Sequence, residues 1–223
     1  KIKRVSYEEM LELASLGAKV LQTRSVEIAA KQNVSLQVLS SFEEAIGSDR
    51  PGTLVTTEEN IMEQELVTGI AFSRDEAKMT LLSVADRPGI AAAIFGPLAE
   101  AGANVDMIVQ NISEEGRTDM TFSCPVDQVA RAEKAMQAAK DSGAINYHDL
   151  VADEGVAKVS VVVIGMRSHT GVAAKMFEVL SAEGVNIKVI TTSEIKISVL
   201  VDRKYMELAV QALHDAFELE KAG

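Results

Sequence analysis

The sequence has no tryptophan, 4% aromatic residues and a single cysteine among its 223 residues. One cysteine excludes an intrachain disulfide framework and fits the reducing cytosol, so we expect a cytoplasmic protein. With so few rings, the core has to be built from Val, Ile, Leu, Ala and Met. The 47% of hydrophobic residues supplies enough of them. The lack of rings also removes the stacking platforms on which sheet-based RNA-binding proteins depend.

Positive charge is also scarce, because 22 Lys and Arg stand against 33 Asp and Glu and the net charge is −11. A protein that binds nucleic acid needs a basic face that displaces counterions from phosphates, so we expect no nucleic-acid partner. An anionic membrane surface is disfavoured for the same reason. No apolar run approaches the ~20 residues of a membrane span, and no hydrophobic core of a signal peptide follows Lys1–Arg4.

Motifs for phosphate binding, zinc coordination and nucleophilic catalysis are missing as well. The three histidines, His148, His169 and His214, are isolated from one another in the sequence. Cys124 has no histidine near it in the sequence and is followed by a proline, which is typical of an apolar strand end. We therefore expect no catalytic residue, no cofactor and no metal site in this chain.

The first 60 residues predict two helices followed by a strand. Ser6 followed by Glu9 forms the capping-box pattern of a helix start. A second helix is expected at about 25–32 and a strand at about 34–39. The polar stretch 43–52 contains two glycines and a proline, and it is the best candidate for a domain boundary.

An internal repeat begins after this boundary. The stretch 98–108 (LAEAGANVDMI) matches the stretch 180–190 (LSAEGVNIKVI), and Pro88-Gly89 falls opposite Thr170-Gly171 at the same offset of 82 residues. A strand, a loop glycine, a helix and a second strand follow in the same order in both copies. This order indicates two copies of one structural unit.

Each copy predicts the order strand, helix, strand, strand, helix. A fourth strand at 144–151 ends the first copy, whereas the second copy ends without one, and an unassigned strand at 67–73 precedes the first copy. We therefore predict that strand 67–73 completes the sheet of the second copy. The order βαββαβ is ferredoxin-like, with two helices on one face of a four-stranded antiparallel sheet, so the fold class is α+β. The other expected strands are 78–84, 104–110, 118–124, 158–165, 186–192 and 195–202, and the helices are 89–101, 127–141, 171–183 and 204–218.

The most informative loop joins a strand to a helix at residues 84–91 (VADRPGIA). Gly89 permits the close approach of another group, and the helix after it presents free N–H groups and a positive dipole end. Such an end is a natural site for a carboxylate, and Asp86 could take an ammonium group. The loop could therefore hold both charges of a free α-amino acid. The alternative is that Asp86 and Gly89 provide turn and capping chemistry alone.

Three further polar residues lie where a ligand could be oriented. Gln110 stands at the end of the second strand of the first copy, and a solvated strand end is its alternative interpretation. Ser193 belongs to the corresponding segment of the second copy. Asn186 follows a glycine at a helix end, where the alternative is turn chemistry, because Asn tolerates left-handed backbone.

Several stretches of the chain resemble the aspartokinase family. The end of its catalytic domain is similar to Ser6–Leu21 and Arg24–Ala30, although Thr23 stands where the family usually has proline. The family's first ACT unit resembles segments 85–89, 104–111 and 118–122. Its second ACT unit resembles 165–171 and 192–200, with Thr170 in place of a common proline. The resemblance implies three parts: the end of an α/β kinase domain with a linker at 1–60, a first ACT unit at 67–150 and a second at 151–223.

The same resemblance implies a function for the whole protein. Aspartate kinase transfers the γ-phosphoryl group of ATP to the side chain of aspartate, which opens the route to lysine, threonine and methionine. ATP, magnesium and the catalytic residues would belong to a kinase portion before Lys1, so this chain alone would be inactive. Its partners would be threonine and/or lysine, a second copy paired through the ACT units, and a catalytic aspartokinase subunit. The implied effector contacts are Asp86, Gly89, Ala91, Gln110, Asn186, Ile187 and Ser193.

Other classes of function compete with this allosteric module. A stand-alone ACT-type regulatory protein would bind small molecules without a kinase partner. An enzyme in its own right would need a nucleophile, metal or phosphate-loop constellation, which the sequence lacks. An RNA-binding βαββαβ protein would need stacking aromatics and a basic face.

Overall fold

The computed structural model describes residues 2–42, 52–57, 67–112, 116–163, 171–193 and 195–220. Most of the predicted boundary stretch, residues 43–51, lies outside these ranges. The helices are α1 (Tyr7–Ser15), α2 (Thr23–Gln32), α3 (Ile90–Glu100), α4 (Val129–Asp141), α5 (Val172–Ala182) and α6 (Met206–Ala216). The strands are β1 (Arg4–Ser6), β2 (Leu36–Val38), β3 (Thr53–Thr56), β4 (Val67–Ala85), β5 (Ile108–Ile112), β6 (Arg117–Pro125), β7 (Asp149–Val163), β8 (Ile187–Thr192) and β9 (Lys196–Asp202).

The chain folds as two compact units. The first unit consists of Arg74–Lys158 with Leu200–Arg203, and the second of Lys1–Ser73, Val159–Val199 and Lys204–Gly223. The start of β4 therefore belongs to the second unit together with β8 and most of β9. These units group the chain by packing rather than by sequence order, and the bounds inferred from the sequence stay a prediction.

The first unit has the strand order β5-β6-β4-β7. Strand β6 is antiparallel to both neighbours, with Met120 opposite Leu81 of β4 and opposite Gln110 of β5. Helices α3 and α4 cover one face of this sheet, because apolar residues recur on one side of each helix and alternate along the strands. The resulting core includes Met79, Leu81, Ile94, Leu98, Phe122, Ala132 and Met136.

The second unit repeats this arrangement with the strand order β4-β7-β9-β8. Its helices α5 and α6 bury one face each, through Met176 and Leu180 on the former and Ala209 and Leu213 on the latter. The facing strand residues Val161, Ile197 and Val199 are fully buried. Both units thus have the predicted βαββαβ arrangement.

The N-terminal segment forms a small sheet of its own with the order β1-β3-β2, in which β1 is parallel and β2 antiparallel to β3. The short strand β3 was not expected from the sequence. Helix α1 also contacts strands β4 and β9. Thr68 Oγ1 donates a hydrogen bond to the carboxylate of Glu9, and Lys196 Nζ lies 3.0 Å from Glu12 Oε2. These polar contacts fix α1 against the sheet.

Two predicted strand boundaries are wrong. The sequence separates strand 67–73 from 78–84, whereas β4 is one strand of 19 residues. Likewise, predicted strands 144–151 and 158–165 are replaced by β7, which starts at Asp149 and has 15 residues. The charged residues between the predicted pieces resemble loops locally, but hydrogen bonds to neighbouring strands keep the backbone extended through them.

The predicted capping box at the start of α1 is confirmed. Ser6 Oγ accepts a hydrogen bond from the Glu9 N–H at 3.1 Å, and the Ser6 N–H donates to Glu9 Oε2 at 2.9 Å. Two N–H groups that the helix itself cannot satisfy are thereby paired. Both residues are buried, so water cannot replace these bonds without local opening.

Replacing Ser6 by Ala is expected to lower the free energy of unfolding by about 1 kcal/mol, because the Glu9 N–H then loses its acceptor. Chemical denaturation measures the change. Ser15→Ala is the control at the other end of α1, where an exposed hydroxyl donates to the Glu12 carbonyl. We expect that variant to lose less than about 0.5 kcal/mol. Equal losses in the two variants would contradict the capping role.

No helix in the described part of the chain is long and apolar enough to cross a membrane.

Candidate effector site

The loop from β4 to α3 has an open amino end of a helix. Gly89 precedes α3 with φ +90°, a backbone conformation that favours glycine. A Cβ built on Gly89 would meet no heavy atom within 4 Å, so space is open beside it. Among the described residues, no side chain caps α3 and no acidic residue lies in its first turn. The positive end of this helix thus has no carboxylate of its own.

Asp86 and Gln110 are brought together by the fold. The Asp86 N–H donates to the Gly116 carbonyl at 2.9 Å, which anchors the loop to the start of β6. Gln110 Nε2 on β5 lies 3.4 Å from Asp86 Oδ1, a long hydrogen bond that an inserted polar group could replace. A carboxylate and an amide are therefore in contact, and the carboxylate belongs to the loop that leads into the amino end of α3.

All four residues implied as contacts in the first unit are exposed: Asp86, Gly89, Ala91 and Gln110. Asp86 and Gly89 share one loop, and Ala91 stands in the first turn of α3. The arrangement can hold a carboxylate at the helix N–H groups and an ammonium group at Asp86.

The second unit has a similar helix start. Gly171 precedes α5 with φ +110°, and a Cβ there would also meet no atom within 4 Å. The preceding loop, residues 164–170, lies outside the described residues. Asn186 is exposed just before β8 and Ile187 is its half-buried first residue. Ser193 follows the last residue of β8, and its N–H donates to the Lys196 carbonyl at 2.9 Å.

Within one chain, the structure does not gather these three residues of the second unit. Asn186 and Ser193 flank opposite ends of β8, and a strand of that length spans roughly 20 Å at about 3.3 Å per residue. A single small ligand cannot touch both ends. The role of Asn186, Ile187 and Ser193 as effector contacts stays a prediction, as does that of the four residues in the first unit.

Cys124 lies in the core rather than in a reactive site. Its side chain is buried on β6 with its sulfur 3.6 Å from the Met79 sulfur. Burial, followed by the negative charges of Glu76 and Asp127, raises the pKa of the Cys124 thiol to about 11. The thiol is therefore protonated at neutral pH and is a poor nucleophile. This agrees with its interpretation as an apolar strand residue.

Two charged residues that contact the strand before the loop were not singled out from the sequence. Arg117 and Asp119 alternate on β6, and both hydrogen-bond to the backbone of Ser83, three residues before Asp86. The signal for Asp119 was present in the segment 118–122, which carries part of the family resemblance but to which no function was given, whereas Arg117 lies just before that segment.

Comparison with known proteins shows which family this chain resembles. A family model described as the ACT domain matches residues 78–141 and another ACT model matches residues 159–217. A chain of the crystal structure of aspartokinase alpha and beta subunits is 47% identical, with a TM-score of 0.62. The match covers 68% of this chain and 99% of that one. The chain belongs to the aspartokinase family. It is a regulatory region with two ferredoxin-like ACT units, as the sequence predicted.

Two further relatives show how much of this chain, and of each relative, the similarity covers. The regulatory subunit of aspartate kinase from Thermus thermophilus, in its ligand-free form, is 38% identical with a TM-score of 0.64. That match covers 69% of this chain and 99% of the subunit. The aspartate kinase of Pseudomonas fluorescens is 53% identical over 99% of this chain and 52% of its own length. The chain thus spans about half the length of the curated relatives it matches.

Proposed function

We propose that this chain is the part of an aspartate kinase that binds threonine and/or lysine and transmits feedback inhibition to the kinase. The observation that carries the proposal is the pairing of Asp86 with Gln110 beside an uncapped helix end, in a chain of the aspartokinase family. The alternative is a stand-alone ACT-type regulatory protein with no kinase partner.

The loop offers one partner for each charge of a free amino acid. The first N–H groups of α3 bind the carboxylate, and Gly89 leaves room for it because no side chain stands there. Asp86 binds the ammonium group through a charge-assisted hydrogen bond. Gln110 orients the ligand with its amide once the long contact to Asp86 gives way. Ala91 limits the space beside the ligand side chain.

A second copy of the chain encloses the ligand in this proposal. Ile108 on β5 and Ile190 on β8 occupy equivalent positions of the repeat and are 48% and 44% exposed. Strands β5 and β8 stand at the two ends of the strand order. Edge strands with exposed apolar residues favour pairing with another chain. Homodimers paired through the ACT units would cover these residues and bring Asn186, Ile187 and Ser193 to sites formed by two chains.

The N-terminal segment supports a connection to a kinase domain. Residues 2–57 lie outside both ACT matches, and the regulatory subunit of Thermus thermophilus covers 69% of this chain. The aspartate kinase of Pseudomonas fluorescens, in contrast, covers 99%. We assign this segment to the end of a kinase domain whose other part holds ATP, magnesium and aspartate. The chain alone would then be inactive and would act on a catalytic portion or subunit in the cytoplasm.

Feedback inhibition requires a sufficient difference in effector affinity between two states. Shifting an equilibrium from about 1:99 to 99:1 takes roughly 5.5 kcal/mol. Two effectors that each contribute about 2–3 kcal/mol achieve jointly what neither achieves alone. Concerted inhibition by threonine and lysine would follow from this sum.

Calorimetric titration of the chain with threonine and lysine, separately and together, tests the proposal. We expect saturable binding of at least one of them. N-acetylthreonine and threonine amide each lack one charge and serve as matched controls, because the site pairs with both charges. The proposed function fails if neither amino acid binds, and the charge-pairing geometry fails if the blocked analogues bind as tightly as the free amino acid.

A further inference from the structure

A β-bulge lies three residues before Asp86 and has an unusual backbone. Leu81 of β4 pairs with Met120 of β6, but the next pair is Val84 with Thr118, so two residues of β4 stand opposite one residue of β6. Ser83, the second bulged residue, has φ +56°. This left-handed conformation is unfavourable for a residue with a side chain, so contacts around it must hold it in place.

Two charged side chains of β6 hold the backbone of Ser83 from both sides. Asp119 Oδ1 accepts a hydrogen bond from the Ser83 N–H at 2.8 Å. Arg117 Nη1 donates to the Ser83 carbonyl at 2.8 Å, and it lies 3.4 Å from Ser83 Oγ. Bonds to charged groups are the stronger kind, and here they replace the ladder bonds that the bulge removes.

The bulge determines where Asp86 stands. After it, Ala85 pairs with Arg117 in the new register, and the Asp86 N–H reaches the Gly116 carbonyl. Without the extra residue, each following side chain would move by one position and point to the opposite face of the sheet. The position of Asp86 beside Gln110 therefore depends on the left-handed backbone at Ser83.

We propose that Asp119 and Arg117 are positioning residues for the effector site, which stabilise the left-handed bulge at Ser83 and thereby hold Asp86 in place. Neither residue needs to touch the ligand. The part of this inference that concerns effector binding rests on the proposed function. The part that concerns the backbone at Ser83 applies to the chain without ligand. Glycine adopts positive φ without penalty, so a glycine at position 83 makes the bulge less dependent on Asp119.

Hydrogen exchange of individual amides in the ligand-free chain, followed by NMR, tests the backbone part. Asp119→Ala is expected to speed exchange of the Asp86 N–H about tenfold. Adding Ser83→Gly to this variant is expected to restore slow exchange. Asp119→Asn keeps an acceptor oxygen and should have a smaller effect, which keeps the test valid if the alanine variant folds poorly. Glu133→Ala, an exposed carboxylate of α4, is the control.

Three results of the exchange experiment would overturn the backbone part of the proposal. The first is unchanged exchange at Asp86 in Asp119→Ala, and the second is a failure of Ser83→Gly to restore it. The third is an equal increase at all amides of the first unit, since that would indicate general destabilisation.

Titration with threonine and lysine is a separate experiment that tests effector binding. If neither binds the unmodified chain, the proposed function fails but the exchange result stands. Equal affinity of Asp119→Ala and the unmodified chain would refute the positioning role.

Discussion

Replacing Lys158 by Met is expected to lower the free energy of unfolding by about 3–5 kcal/mol. Lys158 Nζ on β7 lies 2.9 Å from Glu76 Oε1 and 2.6 Å from Asp106 Oδ2. The side chains of Lys158 and Glu76 are 7% and 9% exposed, whereas that of Asp106 is 50% exposed. Removing the lysine leaves the Glu76 carboxylate buried without its cation, while Asp106 is rehydrated at little cost.

The protonation of Lys158 determines the pH range of this effect. Burial lowers the pKa of Lys158, but the charges of Glu76 and Asp106 and their hydrogen bonds outweigh it, so the pKa is raised above its ordinary value. A cation with a raised pKa in the folded state stabilises the protein below its unfolded pKa and loses this contribution as pH rises through the folded pKa. The difference from Lys158→Met should therefore be full at neutral pH and shrink in strongly alkaline solution.

Urea denaturation of three variants distinguishes the contribution of this ion pair to stability from the contribution of side-chain packing. Lys134→Met replaces an exposed lysine of α4 and is expected to change stability by less than about 0.5 kcal/mol. Glu76→Leu combined with Lys158→Met removes both buried charges and is expected to regain most of the loss. The account of the ion pair is wrong if Lys158→Met loses less than about 1 kcal/mol or if the double variant is no more stable than the single one.

Replacing Asp86 by Asn is expected to weaken binding of threonine or lysine by about 10- to 100-fold, which corresponds to roughly 1.4–2.8 kcal/mol. The amide has the shape of the carboxylate and keeps an oxygen for Gln110, but it no longer attracts an ammonium group. Asp86 is exposed, so the melting temperature should stay within about 2 °C of the unmodified chain.

Titration calorimetry and thermal melting of the same samples provide the two measurements for Asp86→Asn. Glu133→Gln removes one negative charge from the same unit at a distant exposed position on α4, and it should bind as tightly as the unmodified chain. Unaltered affinity in Asp86→Asn, or an equal loss in Glu133→Gln, would show that no specific contact exists between Asp86 and the ligand.

The repeated units could be predicted from the sequence because their signals are local. A strand of alternating apolar residues, a glycine with positive φ and a helix with one apolar face follow one another twice, at Gly89 and at Gly171. The structure places α3 at Ile90–Glu100 and α5 at Val172–Ala182, within two residues of the predicted bounds. Turn glycines and hydrophobic periodicity depend on neighbouring residues alone, so one sequence suffices to locate them.

Features that depend on pairing between distant strands could not be predicted in this way. The charged stretch Arg74–Glu76 resembles a loop, yet Glu76 pairs with Pro125 in the β4–β6 register and its carboxylate meets Lys158. A lysine in a predicted strand is expected to be solvated, and the residues next to Lys158 in the sequence give no indication of two acidic partners. The bulge at Ser83 could not be predicted for the same reason, because its charged partners come from β6.

The candidate site was predicted in part. The sequence assigned Asp86 and Gly89 to one loop from turn chemistry and proposed Gln110 from its place at a strand end, and the family resemblance added Ala91. The contact between Asp86 and Gln110 required the order of β4, β6 and β5 in the sheet. Asn186 and Ser193 flank opposite ends of β8, so the strand separates them within one chain.

A crystal structure of the chain grown with saturating threonine and lysine tests the central claim most directly. We expect density for a free amino acid with its ammonium group against the Asp86 carboxylate and its carboxylate at the first N–H groups of α3. We also expect a second chain to cover that region. A structure in which the Asp86–Gly89 loop is empty, or faces bulk solvent under these conditions, would contradict the account.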